Sequence, residues 1–488
     1  MSDTSPQNQT QPAQSPSGKP PPRKNTRRAT NRSAWWWHFW AGLLVAPIML
    51  VASITGAVLV FDEEIRLAFD REWNLIDGSA VTLAGSVGES ERESEQAAGL
   101  DDEHPSFSDR LSLDELVPLA ESAARSSVET GTQTDAPLSS VYVFSSAERN
   151  VTFVFRDGPF DRRTITRVAI DPYTGRIAGI RNGESGTERF LRVMLTIHES
   201  IFAGIGGRFV VELVTAWGFV LVLSGLLIWW PRSLSTIAGV WTVRHRGPRY
   251  RRWRDWHSVP AAYFAVPAAL VLFTGLLLSV GTGGVWTLGA FATGGIPEAI
   301  FSPPPIEGPK PAQSRLEPAL QHARAIRPDA PLYDIALPYD ERAPISGVAG
   351  SAAEPLGTQY VFVHPESGAL ISSLGQADIP LHGQPVALAY GVHTGGIGGM
   401  PTKIIAVLVC LGLVASTITG VVMWLIRRPA GTLGRPKPAA SRPAVWYILG
   451  AAGVGVLAPT FGLSLLVILF GRTLVRAIAG RRPVGQPV

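Results

Sequence analysis

Cysteine is almost missing: Cys410 is the one example in 488 residues. An intramolecular disulfide is therefore excluded, and so is the paired-cysteine motif that fixes a cofactor through thioethers. Charge is scarce as well, at 17% of residues against 46% hydrophobic, and mean hydropathy is positive at +0.17. No Asp, Glu, Lys or Arg interrupts the runs 39 to 61, 213 to 230, 258 to 281 and 404 to 426. Each is near or above the roughly 20 residues that a helix needs to cross a bilayer. A fifth run, 444 to 471, contains Pro459 and reads either as one kinked span or as a re-entrant pair of half-helices, with the single span favoured. No phosphate-cradling glycine fingerprint sits on a strand-to-helix turn inside the cell, and the links expected on the cytoplasmic side are too short for a flavin or nicotinamide domain. The first 34 residues, rich in Pro, Ser, Gln and basic side chains, read as a disordered tail. The run after them lacks a small-residue cleavage site and reads as a retained span.

The pI of about 9.3 does not imply nucleic acid, because the basic residues are segregated. They fill the tail (Lys19, Arg23, Lys24, Arg27, Arg28, Arg32), the link carrying Arg232, Arg244, Arg246, Arg249, Arg251, Arg252 and Arg254, and the link carrying Arg427, Arg428, Arg435, Lys437 and Arg442. By the positive-inside rule these are cytoplasmic and face a bacterial inner membrane and its lipids, with the N-terminus inside. The implied order is a tail to 34, span 35–62, outside domain 63–208, span 209–231, basic loop 232–255, span 256–281, outside domain 282–400, span 401–427, loop 428–443, a fifth segment 444–471 and a basic tail 472–488. Arg472, Arg476, Arg481 and Arg482 disagree with this order if the fifth run crosses once.

Laying residues 35 to 232 over 254 to 429 exposes an internal twofold repeat. His38 precedes Gly56 by 18 residues and His257 precedes Gly275 by 18; His198 precedes Gly225 by 27 and His393 precedes Gly420 by 27. Each glycine follows a Thr or Ser. Arg208, Trp229 and Arg232 match Lys403, Trp424 and Arg427 at a common offset of 195. Each outside domain combines an amphipathic helix (111–126; 314–326) with strands, among them SSVYVF, VTFVF and TRVAIDPYTGRIAGI in the first and QYVFVHPESGALISS in the second. The fold class is thus a membrane α-helical bundle, four clear spans and a fifth, with two small periplasmic α+β domains.

The pattern VAIDPYTGRIAG resembles the PepSY domain. The stretch GVHTGGIGGMPTKIIAVLVCLGLVASTITGVVMWLIRRP resembles the core of the PepSY-associated transmembrane family, the iron-regulated membrane proteins that include ferric-siderophore reductases, and the likeness runs over residues 35 to 430. Departures are Gly396, where the family usually has arginine, and Glu199 after His198. The resemblance implies an electron acceptor outside the cell that is a ferric chelate, a siderophore.

The four repeated histidines carry the chemistry. Neutral imidazole is a strong axial ligand for haem iron, and two of them leave no open position, which suits electron transfer. His38 and His257 share one membrane depth, and His198 and His393 the other. The reading is therefore two haem b groups, one per pair, with Arg208 and Lys403 placed to meet the outer propionates. His382, eleven residues before His393, is the substitute ligand should His393 not serve. Electrons would come from a quinol or a separate reductase. Headgroup anchoring explains any single histidine equally well, but has no need of fixed spacing. A second function class, a membrane-tethered PepSY pair that restrains a protease or envelope protein, stays open. A transporter fits less well, since the spans show no charged residue to relay an ion. Topology reporters in 232–254 and 429–443 should give cytoplasmic signals and reporters near 130 and 340 periplasmic ones; the reverse pattern would invert the direction of electron flow.

Overall fold

The computed structural model describes residues 26–76, 106–126, 136–156, 165–300 apart from 232 and 234, 302–306, 314–436 apart from 339, 341 and 352–354, and 444–479. The tail 1–25, the acidic stretch 77–105 with His104, and the residues after 479 lie outside them. The N-terminal half runs α1 (Thr26–Leu59), α2 (Asp62–Phe69), α3 (Leu113–Ser126), β1 (Leu138–Phe144), β2 (Val151–Phe155), β3 (Thr166–Ile170), β4 (Ile177–Asn182), α4 (Gly186–Ser200) and α5 (Gly204–Trp229). The C-terminal half runs α6 (Arg249–Tyr263), α7 (Ala265–Leu277), α8 (Thr282–Ala292), α9 (Glu317–Ile326), β5 (Leu332–Ala336), β6 (Ile345–Ala349), β7 (Gln359–Val363), β8 (Leu370–Gly375), α10 (Ala389–Thr394) and α11 (Met400–Arg427). Two more helices follow, α12 (Val445–Leu457) and α13 (Pro459–Ala479).

Among the described residues α1, α5, α11 and α13 are each long and apolar enough to cross a membrane, and α6 with α7 forms a further broken span bent by 69°. The break at Phe264 follows from Pro267, whose ring clashes with the carbonyl four residues back and which offers no N–H to it. α1 also contains a proline, Pro47, and stays continuous. α1 begins at Thr26, ahead of the expected start at 35, because its first turns find partners: Ala34 and Thr30 are buried, and Thr30 Oγ1 accepts from the Ala444 N–H at 2.9 Å. α1 packs on both α5 and α11, α6 packs on α11, and α7 packs on α5. The spans thus close a ring with α1 and α6–α7 on opposite sides.

The two outside segments, read as separate domains, share one sheet instead. Its eight strands run β4-β3-β2-β1-β5-β6-β7-β8, all neighbours antiparallel. The seam pairs Ser140 with Ala336 through to Phe144 with Leu332. Joining β1 to β5 removes an exposed edge from each half. α3 and α9 cover one face, where Leu116, Phe153, Val168, Leu320, Tyr333 and Ile335 form a common core. The helices also cap each other, Leu113 N donating to Glu317 Oε2 at 2.8 Å and Leu316 N donating to Asp114 Oδ1 at 2.6 Å. The hairpin turns match in form: Asp171 accepts from Tyr173 N and Thr174 Oγ1, and His364 Nδ1 accepts from Glu366 N and Ser367 N. His364 is therefore a turn residue.

α12 and α13 do not make the single crossing favoured above. α12 starts beside Thr30 of α1, and the chain turns at Ala458 next to the outer part of α5. α13 then returns, Trp217 Nε1 donating to Ser464 Oγ at 3.1 Å and the Arg472 guanidinium lying 5.1 Å over the Trp36 ring. Both ends of this hairpin thus lie at the end of the bundle that carries the basic links. The turn is tight enough that a Cβ on Gly455 would stand 3.2 Å from Gly462 Cα. Glu212 holds its tip. The charge-free run begins at 213, yet α5 begins at Gly204, so Glu212 is a buried acid inside a span helix. It is consumed by the fold, accepting from Gly281 N at 2.8 Å, from Thr282 N at 2.6 Å and from the Thr460 hydroxyl. These are the free N–H groups at the start of α8 and a hydroxyl in the first turn of α13.

A reporter joined after Ala479 should fall on the same side as one in 232–254; the opposite side would disprove re-entry. A second expectation concerns Asp334 of β5, on the face away from α3 and α9 and opposite Tyr142. Its Oδ1 has no hydrogen-bond partner, and burial, only partly opposed by Arg156, pushes its carboxyl up to about 6. The unfolded chain releases this proton near pH 3.9, so the folded state is favoured below about pH 4 and loses stability as pH rises to about 6. Asp334→Asn should abolish that loss and raise stability at pH 7 by up to about 3 kcal/mol. Thermal unfolding of the two proteins at pH 4.5 and pH 7 measures it, and an equal pH response in both would refute it.

Candidate functional site

Each of the four repeated histidines is seated against a glycine on the other span of its own half. Imidazole Cε1 of His38 lies 3.2 Å from where a Cβ would stand on Gly225, His198 lies 3.0 Å from that of Gly56, His257 lies 3.4 Å from that of Gly420, and His393 lies 2.9 Å from that of Gly275. The glycines beside Ser224, Thr55, Thr419 and Thr274 thus make room for an imidazole. Nδ1 of each ring is also fixed. It meets Ser224 Oγ at 3.0 Å for His38, Ala52 O at 2.9 Å for His198, Ser416 O at 3.0 Å for His257 and Val271 O at 2.9 Å for His393. Ala52, Ser416 and Val271 each lie four residues before the partner glycine, and in α5 the corresponding carbonyl, Leu221 O, accepts from Ser224 Oγ. A Nδ1–H bond to carbonyl fixes the tautomer and leaves Nε2 as the lone-pair nitrogen.

The pairs then form across the ring of spans. His38 and His257 have ring centroids 6.3 Å apart, and His198 and His393 6.0 Å apart. Among the described residues no Nε2 of these four has a protein hydrogen bond. A metal–imidazole bond of about 2 Å on each side, with roughly an ångström from nitrogen to centroid, sums to about 6 Å. Eighteen residues of α1 separate His38 from Gly56, the seat of His198, so the pairs stand roughly 27 Å apart along the bundle at about 1.5 Å per residue.

The donor set fits a metal that brings its own equatorial ligands. Among the described residues no three His, Cys, Asp or Glu side chains converge, so two imidazoles are what the protein offers at each level. The His38–His257 pair opens into a cavity of about 550 Å³, within the range of cofactor sites. Its body is made of small and apolar residues such as Gly42, Gly218, Gly412 and Ala261, while one end carries Trp229, Tyr250, Arg254 and Arg427. Trp229 Nε1 is buried there without a partner. An amphiphilic disc with acidic groups on one edge matches this distribution. Asp255, fully buried, holds Arg244 and Arg254 at 2.7 Å each and so aims both guanidiniums at that end.

A family model for the PepSY-associated TM region matches residues 35–427. The chain belongs to the PepSY-associated transmembrane family. No curated protein matches it at a significant level. As a member of that family and with its apolar helices, it is a multi-pass membrane protein.

Other sequence candidates of this PepSY-associated protein fall elsewhere. Arg208 is paired with Glu199 at 2.7 Å and Lys403 with Glu64 at 2.7 Å, so both outer cations already face carboxylates. His382 is exposed, with Nε2 3.2 Å from Thr293 O, and takes no part in a histidine pair. His245 meets Trp256 edge-on, and His322 Nε2 lies 3.1 Å from Gly368 O. Sequence reasoning missed Trp229 and Asp255 as site residues. Asp255, the lone acid beside an arginine-rich stretch, was the available signal.

Proposed function

We propose that the chain is a dihaem b electron-transfer protein which carries electrons through the membrane to a ferric chelate, most suitably a siderophore, outside the cell. The observation that carries this reading is the pair of histidine pairs, 6.3 and 6.0 Å between centroids, with every Nδ1 fixed and every Nε2 unengaged. His38 and His257 would hold one haem and His198 and His393 the other. When bound, each haem iron supplies a one-electron Fe(III)/Fe(II) couple at a fixed depth. The protein's own residues would orient the four imidazoles, present two of them at each level and shield the couple with apolar walls. Trp229, Arg254 and Arg427 would bind the inner propionates by charge-assisted hydrogen bonds. Two stations roughly 27 Å apart divide a hydrocarbon layer of about 30 Å.

Orientation and direction are part of the same proposal. The re-entrant hairpin puts Arg472 beside the other basic segments, which removes the conflict with the positive-inside rule and supports a cytoplasmic His38–His257 end. The shared sheet would then lie in the periplasm as a duplicated pair of PepSY-like lobes, in keeping with the repeated spacing of histidine and glycine. A quinol or a separate reductase would deliver electrons from the inner side. One electron converts Fe(III) of the chelate to Fe(II), which hard oxygen ligands hold less tightly, so iron is released.

The test is haem content and its dependence on each pair. Detergent-purified protein should contain two acid-extractable haems per chain with low-spin spectra. His38→Ala or His257→Ala should halve the content and spare the outer haem, and His198→Ala or His393→Ala should do the converse. Gly275→Val should mimic His393→Ala, because its side chain would occupy the seat of the imidazole. In single-turnover mixing with a ferric siderophore, dithionite-reduced His38→Ala protein should still be oxidised at the outer haem, while His393→Ala protein should be slower by at least tenfold. A colourless wild-type protein would instead favour the tethered binding module.

A further inference from the structure

A second cavity, of about 220 Å³, lies between the two halves of the outside sheet domain, with Phe107, Arg110 and Leu113 on one side and Glu317, Gln321 and Arg324 on the other. Two guanidiniums stack on a single ring there: Arg110 Cζ is 3.9 Å and Arg324 Cζ 3.6 Å from the Phe107 centroid. Like charges so close repel, and taking either out of water is costly unless a counter-charge meets it. Among the described residues neither arginine is in an ion pair. Arg110 is spent on neutral acceptors, Nη1 donating to Phe144 O at 2.9 Å and Nη2 to Ser146 O at 2.8 Å. Arg324 Nε is buried with no hydrogen-bond partner. Glu317, the acid in the cavity wall, has both oxygens engaged elsewhere: Oε2 accepts from Leu113 N and Oε1 from Gln321 at 3.5 Å, and burial pushes its carboxyl up despite the nearby Arg324 cation. Burial, with the adjacent Arg324 cation adding to it, likewise holds the Arg110 guanidinium below its ordinary range.

We infer that this cavity is a binding site for a small carboxylate anion, held by the Arg324 fork with Arg110 supplying the second positive charge. A planar carboxylate suits the two-pronged fork of a guanidinium whose Cζ sits over an aromatic ring. Polar donors in the wall, Ser108 and Gln321, complete the class of ligand. The anion would touch both halves across the seam, so its binding tightens the joint between the lobes. The inference is independent of the histidine pairs and holds whether or not they carry haem.

Equilibrium dialysis of full-length detergent-purified protein with radiolabelled citrate, paired with thermal unfolding, tests it. Saturable binding with a rise in unfolding temperature is expected, and Arg324→Gln should weaken binding at least tenfold. Gln321→Glu, at an exposed position, places a carboxylate at the mouth and should also weaken citrate binding at least tenfold, while raising the unfolding temperature of the ligand-free protein. That variant keeps the test decisive should Arg324→Gln fail to fold. Citrate binding unchanged by Gln321→Glu would overturn the proposal, as would inorganic phosphate competing as well as citrate at equal concentration, or no saturable binding at all.

Discussion

The bundle depends on one steric exchange made four times: a glycine gives up its side chain so that an imidazole from a neighbouring helix can lie against the helix backbone. Without a Cβ at 56, 225, 275 and 420, each ring approaches close enough for Nδ1 to reach a main-chain carbonyl or a serine hydroxyl. That contact sets three things together. It ties α1 to the α4–α5 unit and α7 to the α10–α11 unit, it selects the tautomer, and it turns Nε2 toward the opposite half. In a membrane, where small residues let helices approach and a stray polar group has no water, such a contact is worth more than its single hydrogen bond.

Much else follows from holding four rings in two layers. The His38–His257 layer opens into a cavity whose polar end carries Arg254 and Arg427, with buried Asp255 keeping the Arg244 and Arg254 guanidiniums in place. The two halves also share the common sheet, whose central strands come one from each half. α12 and α13 add no layer of their own. They wedge against α5 through Trp217 and Phe461, and Glu212 pins their tip to the start of α8. Glu212, a charged group inside a span helix, therefore serves architecture.

How much of this was legible depended on the range of the interaction concerned. The helices and hairpins of the outside lobes follow from local period and turn chemistry, and Leu113–Ser126 and Val151–Phe155 fall where alternation and amphipathicity put them. The histidine register was equally readable, because a duplicated spacing needs no knowledge of packing. What escaped were contacts between distant segments. β5 and β6 are short, and pairing of β1 with β5 joins residues nearly 200 positions apart, which no local pattern encodes. Re-entry of 444–479 hinges on a Gly455–Gly462 approach and on a partner, Glu212, on another span. The helical start at Thr26 escaped for the same reason: Thr30 and Ala34 are ordered by what packs on them, and their own composition is that of a tail.

The β1–β5 seam has a consequence for biogenesis. While the chain is being made, the first four strands are complete long before residue 332 emerges, so β1 waits as a bare edge with its N–H and C=O groups unpaired. Such an edge templates pairing with foreign strands. The short hydrophobic run of β1 must therefore be guarded by a chaperone or by rapid synthesis of the next 190 or so residues. Truncation anywhere between the halves leaves the β5-facing edge of β1 unpaired.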